Sequence, residues 1–270
     1  MTPSPNTCPD AAVAAVRERL NTYRGQGGSA DYVVQMWDLA LQHLDTVDDE
    51  VPSTESCDAI PYLPRSVPIA AGDASDDPVF LDIGCLGGYG LFDVTHRRAG
   101  ERCPWSRMVG MDVDSTSVRL AQELASVWAG ELPVSFCCGS AEDVPLDDRS
   151  CSVVVARLLL PYVRIRETIA EIHRVLAPGG IVLFQLHTFR YYGQSLREHW
   201  RSPGLAAYYF RPILAGLVFD VSGRQMRHRW FAEAALREAT LRRLCRQQGM
   251  LPVWQGGFKA RPLIAFRKSV

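Results

Sequence analysis

Residues 79–93 read VFLDIGCLGGYGLFD. An apolar run carrying one carboxylate, Asp82, meets four glycines (84, 87, 88 and 90) broken by Cys85, Leu86 and Tyr89. Such a run stopped by glycine predicts a short buried strand followed by a turn where the main chain approaches a ligand closely. The dinucleotide fingerprint G-x-G-x-x-G finds no register, because Leu86 stands two residues after Gly84. No lysine lies nearby to complete a phosphate-binding loop, and the nucleophile elbow G-x-S-x-G is absent.

The pattern outward from this stretch is a regular alternation. SRMVGMD (106–112) predicts a second strand, and STSVRLAQELASVWAG a helix with Leu120, Leu124 and Val127 on one face, capped by Asp114 or Ser115. LPVSFCCG (132–139) predicts a third strand, and SCSVVVARLLL (150–160) contains a fourth. Ile165, Ile169, Ile172 and Leu176 mark a helix over 164–176, stopped by Ala177-Pro178-Gly179-Gly180. His173 reads as a structural residue of that helix, and IVLFQL (181–186) is the fifth strand. LREATLRRLCRQQGM predicts a late helix, and LPVWQ and PLIAFR an antiparallel pair around GGF. Strands joined by short turns to helices imply right-handed crossovers and a doubly wound, Rossmann-like α/β sheet, mostly parallel, with an antiparallel C-terminal strand. Ligands are expected at the carboxyl ends of its strands. Residues 1–75 read as an N-terminal helical cap and loop, 76–270 as the main domain, and 189–230 as a lid insert after the fifth strand.

The spacing Asp82-x-Gly84-x-Leu86-x-Gly88 resembles motif I of the class I S-adenosylmethionine-dependent methyltransferases, usually D/E-x-G-x-G-x-G, with Leu86 in place of the middle glycine. VGMDVD, GSAEDVPL, SCSVVVARLLLPYV and EIHRVLAPGGIVLFQ are similar to the family's later segments, in the same order. Ser140 and Ser152 stand where aspartate is frequent. The resemblance covers residues 76–188 and implies S-adenosylmethionine as cofactor. It assigns Asp82, Gly84, Cys85, Leu86 and Gly88 to the cofactor loop, and Asp112, with Val113 beside it, to the ribose hydroxyls. Ser140, Ala141 and Glu142 fall at the adenine. Arg157 is either an ion-pair anchor or a residue whose backbone faces the methionine tail. Asp112 could instead cap its helix, and Glu142 and Asp143 could be solvated.

The whole chain has a net charge of −1, but residues 1–188 carry −12 and residues 189–270 carry +11. The insert interleaves Phe189, Tyr191, Tyr192, Trp200, Tyr208, Tyr209, Phe210 and Trp230 with Arg190, Arg197, Arg201 and Arg211. A pocket for a planar or lipid-like small molecule with an acidic group would use Arg190, Tyr191 and Tyr192; an amphipathic cap on the core would use the same residues for packing. Methyl transfer is an in-line displacement needing few catalytic side chains, with a general base if the acceptor must lose a proton. His187, just past the fifth strand and expected to titrate near neutrality, and Tyr162, just past the fourth, are the candidates. The expected partner is a small-molecule acceptor, and a homodimer is open. The rival readings are an RNA methyltransferase using the basic end and a fold that has lost catalysis. Only two lysines and no Asn/Asp-Pro-Pro-aromatic signature argue against nucleic acid. The eight cysteines form no C-x-x-C pair, so reduced thiols and no metal are expected. No run of eighteen uninterrupted apolar residues occurs, which predicts a cytoplasmic chain without a membrane span.

Overall fold

The computed structural model describes residues 9–42, 77–97 and 105–270, apart from 229, 232 and 259. Of the expected cap and loop over 1–75, residues 1–8 and 43–75 therefore lie outside the described residues, as do cysteines 8, 57 and 103. The elements run α1 (Pro9–Asn21), α2 (Gly28–Gln42), β1 (Val79–Ile83), α3 (Tyr89–Arg97), β2 (Arg107–Asp112), α4 (Ser115–Trp128) and β3 (Val134–Cys138). They continue with β4 (Cys151–Arg157), a single 3-10 turn Leu160–Tyr162, α5 (Ile165–Val175), β5 (Leu176–Gln185), α6 (Phe189–Glu198), α7 (Pro203–Ser222), α8 (Glu238–Gln247), β6 (Met250–Phe258) and β7 (Arg261–Lys268).

The strands order as β3-β2-β1-β4-β5-β7-β6. β1 to β5 are parallel, and β7 runs antiparallel to both β5 and β6. The chain moves outward from β1 through β2 and β3, then returns to β4 on the other side. That reversal opens a crevice at the carboxyl ends of β1 and β4. Alternate strand residues feed two cores. Phe80, Val153, Val155, Ile181 and Leu183 face α1 to α4, while Leu81, Ile83, Val154, Val182 and Phe184 face α5 and α8. Both faces being covered explains why β1 and β4 read as continuous apolar runs rather than alternating ones. The N-terminal helices share this packing: Val16, Leu20, Val33 and Trp37 are fully buried with Leu120 and Leu124 of α4.

Two expectations change in detail. The helix ends at Val175, and Leu176 to Gly180 are already extended, so the Pro-Gly-Gly stretch is a bulged start to β5. Pro178 has no N–H for the ladder and Gly179 takes φ +75°, so the register slips between Cys151↔Leu176 and Val153↔Ile181. The insert is two helices, α6 and α7, that pack on each other. By length and composition α7 is long and apolar enough to cross a membrane, although Arg211 and Asp220 interrupt its apolar run. Pro212 lies inside it, and Gly216 brings it so close to Ala235 O that a Cβ would fall at 2.2 Å.

Candidate functional site

The glycine loop is tied to the end of β2 by main-chain bonds. Gly84 and Cys85 N–H both donate to Met111 O, at 2.7 and 3.0 Å. Leu86 adopts φ +51°, the left-handed region that the usual glycine occupies freely, and its N–H donates to Asp112 Oδ2 at 2.9 Å. The turn therefore keeps its form with a leucine in it. Gly88, at φ +80°, leaves no room for a side chain, since a Cβ would lie 2.7 Å from Phe136. On the outer side Trp37 Nε1–H donates to Gly87 O at 2.7 Å, so α2 rests directly on the loop.

Asp112 does not cap α4. Asp114 does, accepting from Ser117 N–H and Oγ at 2.9 and 2.6 Å. Asp112 Oδ1 accepts from Asp114 N–H at 3.0 Å, so each carboxylate oxygen holds one bond and keeps a further lone pair. Val113 next to it is 77% exposed, an apolar surface beside a carboxylate. Ala141 is buried, and Ser140 Oγ accepts from Glu142 N–H at 3.2 Å. Glu142 is not simply solvated. Its carboxylate accepts from Arg164 N–H at 2.6 Å and meets Arg164 Nε at 3.5 Å and Arg227 Nη1 at 3.3 Å, which ties the 139–146 segment to the start of α5.

Asp82 lies beneath the loop. It is 2% exposed, neither oxygen has a hydrogen-bond partner among the described residues, and Arg157 Nη2 stands 3.6 Å away. Burial pushes its carboxyl up to about 6 against the pull of Arg157, with Asp112 adding to the rise. Of the two readings for Arg157, the side chain takes the ion-pair one, with its guanidinium 4.8 Å from the Tyr89 ring centre. Gly90 makes this possible: a Cβ there would fall 2.1 Å from Arg157 Nη2 and 2.5 Å from Asp82 Oδ2. Cys85 is buried, and burial raises its thiol well above the usual range.

A second group of side chains stands past β4 and β5. His187 is 7% exposed and stacks on Tyr191 at 4.3 Å, and neither ring nitrogen has a hydrogen-bond partner among the described residues. Burial, then Arg261, lower it to about 3, so the imidazole is neutral at pH 7 and the expected titration near neutrality is corrected. Tyr162 is half-exposed, and its phenol is pushed up by the desolvating wall around it and then by Glu233. Tyr192 and Tyr208 hydroxyls donate to the two oxygens of Glu233 at 2.9 and 2.8 Å. Arg190 is exposed on α6; the guanidinium within the aromatic group is Arg261, 4.4 Å from the Tyr191 ring centre. Glu233 and Arg261 were missed by sequence reasoning. Glu233 is one of four acids after residue 188, a rarity that could have marked it, while nothing local distinguishes Arg261.

Residues 81–184 match the family model described as "Methyltransferase domain". Among curated relatives, the carboxy-S-adenosyl-L-methionine synthase of Shewanella baltica is 30% identical over 105 residues, which are 38% of this chain and 41% of that protein. The chain thus spans well under half the length of the curated relatives it matches first. A solved S-adenosylmethionine-dependent methyltransferase of Methanosarcina mazei superposes with a TM-score of 0.50 at 19% identity, covering 73% of this chain and 94% of the other. A chain of the Haloferax volcanii complex with the Trm112 methyltransferase activator gives a TM-score of 0.55 at 15% identity, over 90% and 96% of the two chains. At these identities the two structures bear on the fold.

Proposed function

We propose that this chain, whose residues 81–184 match the methyltransferase-domain family model, is a class I S-adenosylmethionine-dependent methyltransferase that transfers a methyl group to an oxygen, nitrogen or sulfur atom of a small molecule. The observation that carries the reading is the loop at Leu86, whose left-handed backbone and bond to Asp112 keep the glycine-type turn. The residues present fit the family's cofactor. Asp112 has acceptor capacity left for two hydroxyls, Val113 offers an exposed apolar face, and the buried Asp82 carboxyl has no hydrogen-bond partner among the described residues, which suits a cationic tail. Bound there, S-adenosylmethionine supplies a methyl group on an electrophilic sulfonium.

The chain's own residues would hold the acceptor and exclude water. Tyr162, Tyr191, Tyr192 and Tyr208 form the wall, and positioning of this kind accounts for most of the rate in a direct displacement. Glu233, held by two tyrosine hydroxyls, joins His187 and Tyr162 as a candidate proton acceptor, and is the one this reading favours. Burial lowers His187 to about 3, so its neutral ring is a weak base, and burial also raises the Tyr162 phenol, which keeps its proton at pH 7. Within this reading residues 76–270 act as the enzyme domain, and 189–230 cover its acceptor side.

Calorimetry with S-adenosylmethionine and S-adenosylhomocysteine tests the reading first. Saturable binding of both is expected, and no heat at millimolar cofactor overturns it. One observation favours the RNA reading: Arg242, Arg243 and Arg246 on α8 line an open cleft of about 470 Å³. Salt-sensitive retention on heparin supports that reading, and indifference at low salt removes it.

A further inference from the structure

Among the described residues the side chains of Arg157, Lys268 and Arg261 are largely buried, and two of the three have partners. Arg157 faces Asp82, and Lys268 Nζ donates to His173 O and Leu176 O at 2.6 and 2.7 Å. Arg261 is the exception. It is 8% exposed, its Nε and Nη1 are buried without a hydrogen-bond partner, and it forms no ion pair among the described residues. A cation held out of water in this way is costly, and the Tyr191 ring, 4.4 Å from it, offsets only part of that cost. The position is fixed by the fold. Arg261 opens β7, which pairs with β5 through Gln185↔Leu263, and Thr188 N–H and Oγ donate to Ala260 O at 3.3 and 2.8 Å. The guanidinium is thereby held beside His187, at the carboxyl edge of the sheet, where the acceptor belongs.

We propose that Arg261 anchors the acceptor through a carboxylate that the acceptor carries on an apolar or aromatic body, a conclusion that rests on the methyl-transfer reading above. The groups around it fit that class. Tyr191 contacts both Arg261 and His187, at 4.4 and 4.3 Å from its ring centre, and brings aromatic surface beside the guanidinium. Tyr32 lies within electrostatic range of Arg261 and Tyr191, and Tyr162 within range of Glu233, Tyr32 and Tyr191, so these side chains gather in one neighbourhood. The His187 ring nitrogens offer further polar atoms without partners among the described residues. Glu233, bonded to Tyr192 and Tyr208 in the same aromatic group, disfavours phosphate: one guanidinium balances one negative charge, and a dianion would add to the negative charge of that carboxylate. Arg190, which the sequence offered for this role, is exposed on the outside of α6.

The test titrates benzoate, benzamide and phenyl phosphate into the full chain after S-adenosylhomocysteine has been bound, with calorimetric readout. Benzoate is expected to bind at least roughly tenfold more tightly than benzamide, the scale of a hydrogen bond to a charged group. Arg261→Met should abolish that preference, and Arg261→Lys should keep part of it. Equal binding of benzoate and benzamide by the native chain, or a preference that survives in Arg261→Met, overturns the proposal. So does phenyl phosphate binding more tightly than benzoate. Should Arg261→Met fail to fold, the native comparison decides alone. Cofactor binding without a carboxylate preference ends only the anchor; absent cofactor binding ends the methyltransferase reading and the anchor with it.

Discussion

Around Leu86 the carboxyl edge of the sheet is lined by main chain. Gly84, Cys85 and Leu86 spend their N–H groups on Met111 O and Asp112, and the glycines at 87, 88 and 90 let Trp37, Phe136 and Arg157 press against the backbone. Around Tyr191, at the other end of the same edge, the lining is side chain: His187, Arg261, Glu233 and four tyrosines drawn from five separate segments. The first region is fixed by covalent neighbours and tolerates little. The second is adaptable, because each side chain can change without disturbing the sheet below. A cofactor common to a family suits the former, and an acceptor peculiar to one protein suits the latter.

The sharpest way to break this contrast is Gly90→Ala. On propensity alone, alanine within α3 would stabilise the helix by about 1 kcal/mol. Its Cβ would collide with Arg157 Nη2 and Asp82 Oδ2, at 2.1 and 2.5 Å, and separating a buried ion pair costs roughly 3–5 kcal/mol. The clash wins, so urea denaturation should show a net loss of about 2–4 kcal/mol. A variant as stable as the native chain would mean the pair is not held by that glycine.

On the side-chain end, Glu233→Gln should lower kcat by about 10²- to 10⁴-fold with any acceptor that is turned over, while cofactor affinity stays unchanged. The amide oxygen can still accept from Tyr192 or Tyr208, which protects the fold. Retention of nearly full kcat would remove Glu233 as the proton acceptor.

How far each region can be read from sequence follows from the same contrast. VFLDIG, VGMDVD and LAPGGIVLFQ are contiguous, and a strand ending in glycine or aspartate carries its meaning locally. Residues 81–184, where the family match lies, hold nearly all of it. Leu86 departed from the pattern without altering the turn, because backbone conformation rather than side-chain identity is what the loop requires. The acceptor side joins residues 32, 162, 187, 191, 233 and 261, so no local spacing announces it. His187 was found by position, but burial sets its chemistry, and sequence does not reveal burial at a strand end. Glu142 shows the converse: its segment was legible, but its two arginine partners at 164 and 227 were not.

Asp112→Ala should weaken S-adenosylmethionine binding by about 1–3 kcal/mol, the scale of a lost charge-assisted bond pair. The change also frees the N–H groups of Leu86 and Asp114, so the loop itself should loosen. Unchanged affinity would place the ribose elsewhere.

His187 supplies a pH test of the side-chain region. Its folded pKa, about 3, lies below the ordinary value of 6.5, so its contribution to stability is complete above pH 6.5 and is lost as pH falls toward 3. At pH 5 the loss should reach about 2 kcal/mol. His187→Phe removes that titration, so its stability should fall less between pH 7 and pH 5 than the native chain's. Equal losses in the two proteins would show that the imidazole is not dry.

The smallest effect expected is the most discriminating. Leu86→Gly relieves a left-handed leucine, worth roughly 1–2 kcal/mol, but adds about 0.5–1 kcal/mol of unfolded-chain entropy and removes a half-buried side chain worth about 1 kcal/mol. These terms nearly cancel, so stability should change by less than about 1 kcal/mol. The prediction for ligand binding is stricter. If this end of the site is made of main chain, exchanging leucine for the family's usual glycine leaves the N–H to Asp112 in place, and S-adenosylmethionine affinity should move by less than about threefold. A shift of tenfold or more in either direction would show the leucine side chain to be part of the cradle, and the division between a backbone-built and a side-chain-built end would no longer hold.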